Sequence, residues 1–151
     1  KTMSLQSRQV PVWQNETGDR VRVLVGGFGN LRSPIEPAEP YAILDMFLES
    51  AISYPVTPSD NVVIYVLKGD LTVEVGDRVH AVHEESAIAV AGADVVHLRA
   101  TNGPVHALLL SGPALNEPVV ADGPFIMNDE AGIRDAYQRF RFGEMGMLDA
   151  V

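Results

Sequence analysis

Four histidines, two carboxylates in apolar surroundings and a glycine-rich turn are the residues of this 151-residue chain whose types could do chemistry. His80 and His83 lie three apart on or just past a short strand, and residues three apart on a strand point to opposite faces, so they chelate together only if the strand has ended. Glu84 and Glu85 beside them allow a surface cation site, against the simpler reading of a polar hairpin end. His97 stands between Val96 and Leu98; if those two face a core, the two-residue period turns the imidazole outward. His106 runs in step with Leu108 and Leu110, which predicts a partly buried, neutral, hydrogen-bonded ring. Asp45 interrupts an apolar strand and reads as a paired structural carboxylate in preference to a general base. Glu117, with Asn116, sits between Leu115 and Val119, where a side chain satisfying unpaired backbone groups is the expectation ahead of catalysis. No serine has the G-x-S-x-G context of a nucleophile elbow. The run Gly26-Gly27-Phe28-Gly29-Asn30 looks like a phosphate loop but lacks the lysine, the spacing and a following helix pattern, so it reads as a turn.

The elements that would position these groups are short strands. Val21, Val23 and Val25 alternate with Arg20, Arg22 and Leu24, and residues 41–48 put Leu44, Met46 and Leu48 on one face. Residues 62–67 are apolar on both faces, which predicts a strand covered on both sides. Lys68-Gly69-Asp70 then reads as a turn into Leu71, Val73 and Val75, and Gly76-Asp77 as a two-residue hairpin before residues 79–82. Further strands are expected at 87–90, 95–99 and 105–110, the last two separated by Asn102-Gly103-Pro104. Regular short strands with glycine-rich turns argue an all-β antiparallel sandwich or jelly roll. One carboxy-terminal α-helix follows, with Asn128 as N-cap, Asp129 and Glu130 in its first turn, Arg139 and Arg141 near its end, an apolar face of Ile133, Ala136, Tyr137 and Phe140, and Gly143 as its stop. The predicted organisation is an amino-terminal arm over 1–20 that adds an edge strand, a β-barrel domain over 21–127, and a helix over 128–143 packed on the barrel. Met145 and Met147 read as an apolar tail suited to docking.

Composition bounds the partners. Twenty acidic against eleven basic side chains give a formal net charge of −9, which repels phosphate backbones, so direct nucleic-acid binding is not expected. The chain has no cysteine, which fits a reducing compartment. No apolar run approaches the roughly 18 residues that would span a bilayer and residues 1–4 open no signal peptide, so the expectation is a soluble, cytoplasmic protein without membrane contact.

Between the strands and the helix lies a stretch punctuated by Gly112-Pro113, Glu117-Pro118 and Gly123-Pro124, in which each proline fixes its own φ and extends the residue before it. It reads as a rigid, kinked crossing. The motif L-N-E-P-V-V followed by G-P-F-I-M-N, with a helix ending R-F-G, resembles the carboxy-terminal half of the pirin family. The likeness extends more loosely upstream through residues 21–26, Ser33-Pro34, Leu44-Asp45 and the Tyr65-Val66-Leu67-x-Gly69 segment shared with cupins. The signature residues are Asn116, Glu117, Pro118, Gly123, Pro124, Phe125 and Asn128, and their expected role is structural.

The resemblance implies a cupin fold. It also implies two tandem cupin domains, of which the amino-terminal one carries an iron-type metal on histidines and a glutamate and the carboxy-terminal one usually carries none. Laid on the cupin pattern, the carboxylate ligand falls near Val62, the paired histidines near Val56 and Pro58, and the later histidine near Val95 or Val96, with His97 the closest imidazole. None of the aligned residues can ligate, so no catalytic, cofactor-binding or metal residue is expected in this chain. The function expected is that of a metal-free cupin module with a binding or regulatory role. The alternative is a quercetinase-like dioxygenase working with a metal-bearing half. A face left uncovered by that half would be apolar, and a homodimer or a partner protein is expected to cover it.

Overall fold

A computed structural model describes residues 4–146, in two compact units divided along the chain between Ala114 and Leu115. Met147 of the expected tail lies outside the described residues.

The first unit begins with a 3-10 turn at Ser7–Gln9 and an edge strand β1 (Val12–Gln14), the element expected of the arm. The strands that follow are β2 (Arg20–Val25), the small hairpin of β3 (Gly27–Phe28) and β4 (Leu31–Arg32), β5 (Ala42–Leu48), β6 (Ala51–Pro55), β7 (Asp60–Val75), β8 (Arg78–Val82), β9 (Ser86–Ala91) and β10 (Val95–Pro113). The glycine-rich run at 26–30 is therefore a hairpin. Every pairing is antiparallel.

Two strands are longer than their sequences suggest, and this is the main correction. Residues 68–70 do not turn the chain; β7 runs on through them for 16 residues. Asn102-Gly103-Pro104 likewise sits inside a 19-residue β10. The two interruptions face each other. Register between β10 and β7 shifts between Thr101 and His106, and Gly69 takes φ +87° with the Pro104 carbonyl oxygen 2.6 Å from where a Cβ would stand. Both glycine-bearing segments thus absorb one shared bulge that bends the pair, the device by which strands turn a sandwich corner. Beyond the corner the same two strands join different neighbours. Residues 105–111 of β10 pair with β5 and 61–66 of β7 with β9, while 95–99 of β10 pair with β6 and 71–75 of β7 with β8. The result is two sheets threaded by β7 and β10, a jelly-roll sandwich.

Alternation fills the space between the sheets. Val21, Val23, Leu44, Met46, Leu48, Val62, Ile64, Val66, Leu71, Val73, Val96, Leu98, Ala107 and Leu109 all lie inward and are buried to within about 1%. Each aliphatic side chain fully removed from water contributes about 1.5–3 kcal/mol, so this layer dominates the unit's stability. The outward positions behave differently from expectation. Val63 and Leu67 are 39% and 37% exposed, so β7 is covered on one face only.

The second unit is a hairpin and a helix. Strands β11 (Val120–Asp122) and β12 (Phe125–Met127) are joined by Gly123-Pro124, with Gly123 at φ +53°. A positive-φ glycine followed by proline suits a type II′ hairpin turn. Helix α1 spans Glu130–Arg141. Its N-cap is Asp129, one residue later than the expected Asn128, because the Asp129 carboxylate accepts from the Gly132 amide at 2.7 Å. Phe142 closes the helix and Gly143 follows at φ +72°, the left-handed stop the sequence announces. Ile133 and Ala136 are buried, whereas Phe140 stays 62% exposed.

Candidate functional site

The interior positions where a cupin pattern would place metal ligands carry aliphatic groups or point away. Val56 and Val62 are buried in the core and Pro58 is exposed. Val96 and Leu98 face the core with no exposed surface, so His97 points outward, where its Nδ1 lies 2.8 Å from the Ser53 hydroxyl. No cluster of three or more histidine, aspartate or glutamate side chains that could hold a metal occurs among the described residues. The donor set does not fit an iron-type ion at that place, since alkyl side chains offer no lone pairs.

The remaining histidines are placed by the outer surface. His80 is exposed on β8 opposite Val73, and His83 lies just past the strand end, so the two do not meet. His83 Nδ1 is 2.8 Å from Asp70 Oδ1; hydrogen bonds from His83 and then Asn102 hold the Asp70 carboxyl below its ordinary range. Glu84 accepts the Gly69 amide at 3.2 Å, so it braces the bulge.

His106 belongs to a built cluster. On the outer face of the larger sheet the register sets Arg20 opposite Phe47 and Phe47 opposite His106, and on the next row Arg22 opposite Asp45. Arg20 lies 4.4 Å over the Phe47 ring, a cation–π distance, and the imidazole stacks on Phe47 with centroids 4.2 Å apart and planes 15° from parallel. Asp45 joins the rows: its Oδ2 accepts from Arg22 at 2.9 Å and its Oδ1 is 2.7 Å from His106 Nε2. Asp45 is 7% exposed, and this pairing is what makes a carboxylate tolerable there. The paired acid and partly buried imidazole expected from the alternation are both in place.

Around this cluster the same face is apolar. Ile43, Leu110, Val63 and Ala89 form one cross-strand row over β5, β10, β7 and β9, and Leu108, Tyr65 and Ala87 the next. Val63 and Leu110 remain about 40% exposed.

One carboxylate of consequence is not signalled by its neighbours in sequence. Asp19 is fully buried and accepts from Asn15 (2.8 Å), Thr17 (2.9 Å), the Ser50 hydroxyl (2.5 Å) and the backbone amides of Glu49 and Ser50 (2.8 Å each). Burial opposes its ionisation, but the hydrogen bonds from Ser50, Asn15 and the two amides outweigh it and lower its pKa from 3.8 to about 2. Asn15 and Thr17 are local partners within the turn, but Glu49 and Ser50 lie some thirty residues away, beyond any local pattern, so only the Asn15 to Asp19 turn signal hints at the carboxylate's role.

A separate cavity of about 810 Å³ opens at one end of this unit, walled by the β3–β4 hairpin, the proline-rich 34–40 segment, Tyr41, Tyr54, Asp60 and Ser111. Its polar groups come from strand ends, which is why strand alternation does not reveal them.

In the second unit the signature residues hold their own fold. Glu117 is exposed, contrary to the partial burial expected, and accepts from Asn128 Nδ2 at 2.6 Å, tying the start of the segment to the end of the hairpin. Asn116 takes φ +54°, a conformation asparagine tolerates. Gly123 is required by the turn, and a Cβ there would stand 2.7 Å from the Tyr137 hydroxyl. Pro124 fixes the second turn position, and Phe125 packs edge-on against Tyr137 at 4.9 Å and Phe140 at 6.1 Å. Pro118, exposed, follows Glu117 directly and extends the chain there.

Comparison with known proteins agrees with this architecture. The model of the Pirin C-terminal cupin domain matches residues 41–146. Pirin-1 of Arabidopsis thaliana is 28% identical over 150 residues, covering 97% of this chain and 52% of that protein. Pirin of Rattus norvegicus is 28% identical over 149 residues, covering 97% of this chain and 51% of its own length. Among solved structures, a quercetin 2,3-dioxygenase from Acinetobacter baumannii superposes with a TM-score of 0.86 at 24% identity, over 99% of this chain and 52% of that one. The chain therefore spans about half the length of the curated relatives it matches. An all-β cupin sandwich, the E-P and G-P-F-I-M-N signature and a family match over most of the sequence make this chain a member of the pirin family, carrying its carboxy-terminal cupin domain.

Proposed function

We propose that this cupin works as a binding or regulatory module, without a metal of its own, and that it docks through the outer face of its larger sheet. The observation that carries the reading is the division of chemistry between the two sides of that sheet. The inner side is packed with aliphatic groups, with no group of metal donors among the described residues, whereas the outer side presents a continuous apolar surface over four strands with a paired, stacked Arg20-Phe47-His106-Asp45-Arg22 cluster beside it. Contiguous exposed apolar surface on a folded domain marks an interaction site. A second copy of the chain or a partner protein covers it. The charge of −9 argues against nucleic acid as that partner. Among the described residues no helix is long and apolar enough to cross a membrane, and the absence of cysteine supports a cytoplasmic setting.

Leu110→Glu places a charge in the middle of the apolar rows without touching the core. Sedimentation equilibrium over a wide concentration range is expected to show association of the wild-type chain and its loss, by ten-fold or more in Kd on the order of magnitude expected for a charge buried in an interface, in the variant. A wild-type monomer at every concentration that also captures no partner through this face sinks the reading.

The second reading, a dioxygenase, is favoured by the fold shared with the Acinetobacter baumannii enzyme. On that reading the chain acts beside a metal-bearing cupin half, and its contribution is to shape the neighbouring site.

A further inference from the structure

We infer that the cleft beside His106 is a seat for a carboxylate, and that the docking face takes a partner bearing an exposed aspartate or glutamate side chain at the matching edge. The inference rests on the docking reading and adds the chemistry of what docks.

The cleft has a volume of about 640 Å³ and is bounded by Gln14, Arg20, Phe47, Glu49, Lys68 and His106, among others. In a chain with 20 acidic and 11 basic side chains, cations are expected to find carboxylates readily. Arg22, Arg99, Arg134 and Arg139 do so. Arg20 and Lys68, like Arg8, Arg32, Arg78 and Arg141, have no ion-pair partner among the described residues, but these two stand on one rim with Glu49. Arg20 is instead held over Phe47, which fixes the guanidinium while leaving its donors unspent. Lys68 is set opposite His106 at the bulge, where the β7–β10 register shifts.

His106 lines the same cleft. Its ring is clamped by stacking on Phe47 and by the contact of Nε2 with Asp45, while Nδ1 has no hydrogen-bond partner among the described residues. The charged groups around the ring are Asp45 at Nε2, Arg22 beyond Asp45, Arg20 across Phe47, and Lys68 and Glu49 on the rim. Asp45 is spent on Arg22 and His106, so Glu49 alone opposes a ligand anion, against Arg20 and Lys68. An arginine with free donors and a lysine around one opening match a carboxylate, and a carboxylate so placed would dock next to the apolar rows.

The probe is benzoate, with benzyl alcohol as its neutral counterpart, titrated into the chain at constant pH while the Arg20 side-chain and His106 ring resonances are followed by NMR. Saturable shifts with benzoate are expected, and none with benzyl alcohol. Arg20→Gln should weaken benzoate by about ten-fold, the scale of one charge-assisted hydrogen bond, with Arg20→Lys recovering part of it. Arg78→Gln, remote on β8, should leave it unchanged. Leu110→Glu separates the two claims, since it should abolish association and spare benzoate binding. Equal response to benzyl alcohol, equal weakening by Arg78→Gln, or no saturable shift overturns the seat while leaving the docking reading to its own test.

Discussion

Asp45 and Asp19 show what a single acidic residue does and does not reveal. Asp45 was legible because an acid in an apolar strand with outward neighbours must find a partner, and Arg22 and His106 supply two. Asp19 was not, because its partners Glu49 and Ser50 are distant in sequence and reach it only once β2 lies against β5. The pKa of Asp19 yields a prediction with a definite sign. A carboxyl whose folded pKa is depressed stabilises the fold at pH above its unfolded value, and that contribution is lost as pH falls through the folded one. The window is thus from 3.8 down to about 2. The contribution at neutral pH is on the order of 2 kcal/mol. In urea unfolding, Asp19→Asn is expected to lose about 2 kcal/mol at pH 7 and to differ much less from wild type at pH 2. An equal deficit at both pH values would mean that the charge is not what matters.

At the scale of elements, alternation located strands well and their ends poorly. Residues 41–48 and the Gly76-Asp77 hairpin fall where the pattern puts them, with Leu44, Met46 and Leu48 all inward. Glycine misled at 68–70 and 102–104, because in a bent strand pair it marks a bulge as readily as a turn, and only the facing strand decides which. Gly69→Ala tests this account of the corner. Its φ of +87° disfavours a side chain, and the added Cβ meets the Pro104 carbonyl oxygen at 2.6 Å, backbone that cannot swing aside. The expected cost is about 1–3 kcal/mol in chemical denaturation, whereas alanine at Gly76, whose added Cβ meets nothing within 4 Å, should cost less. Equal costs would remove the close approach as the reason for the glycine. The cap of α1 slipped by one residue for a related reason. Asn128 and Asp129 both have capping chemistry, and the bond from Asn128 to Glu117 across the hairpin leaves the cap to Asp129.

For the whole molecule, the sandwich and its family were readable from strand spacing and from the E-P and G-P-F-I-M-N signature. The apolar outer face was readable only in part. Residues 62–67, apolar throughout, suggested a strand covered on both sides, and the structure exposes one side. The two observations are reconciled if the second covering layer comes from another chain or domain, which is the docking proposal at molecular scale. Its counterpart is the filled interior. Because Val56, Val62 and Val96 stand where ligands would be needed, those positions offer no donors to a reactive ion. Elemental analysis of the purified chain after exhaustive dialysis against a chelator tests that most directly. The account predicts iron, copper, manganese and nickel all far below one atom per chain; any one of them retained stoichiometrically, and lost on substitution of His97 or His106, would contradict it.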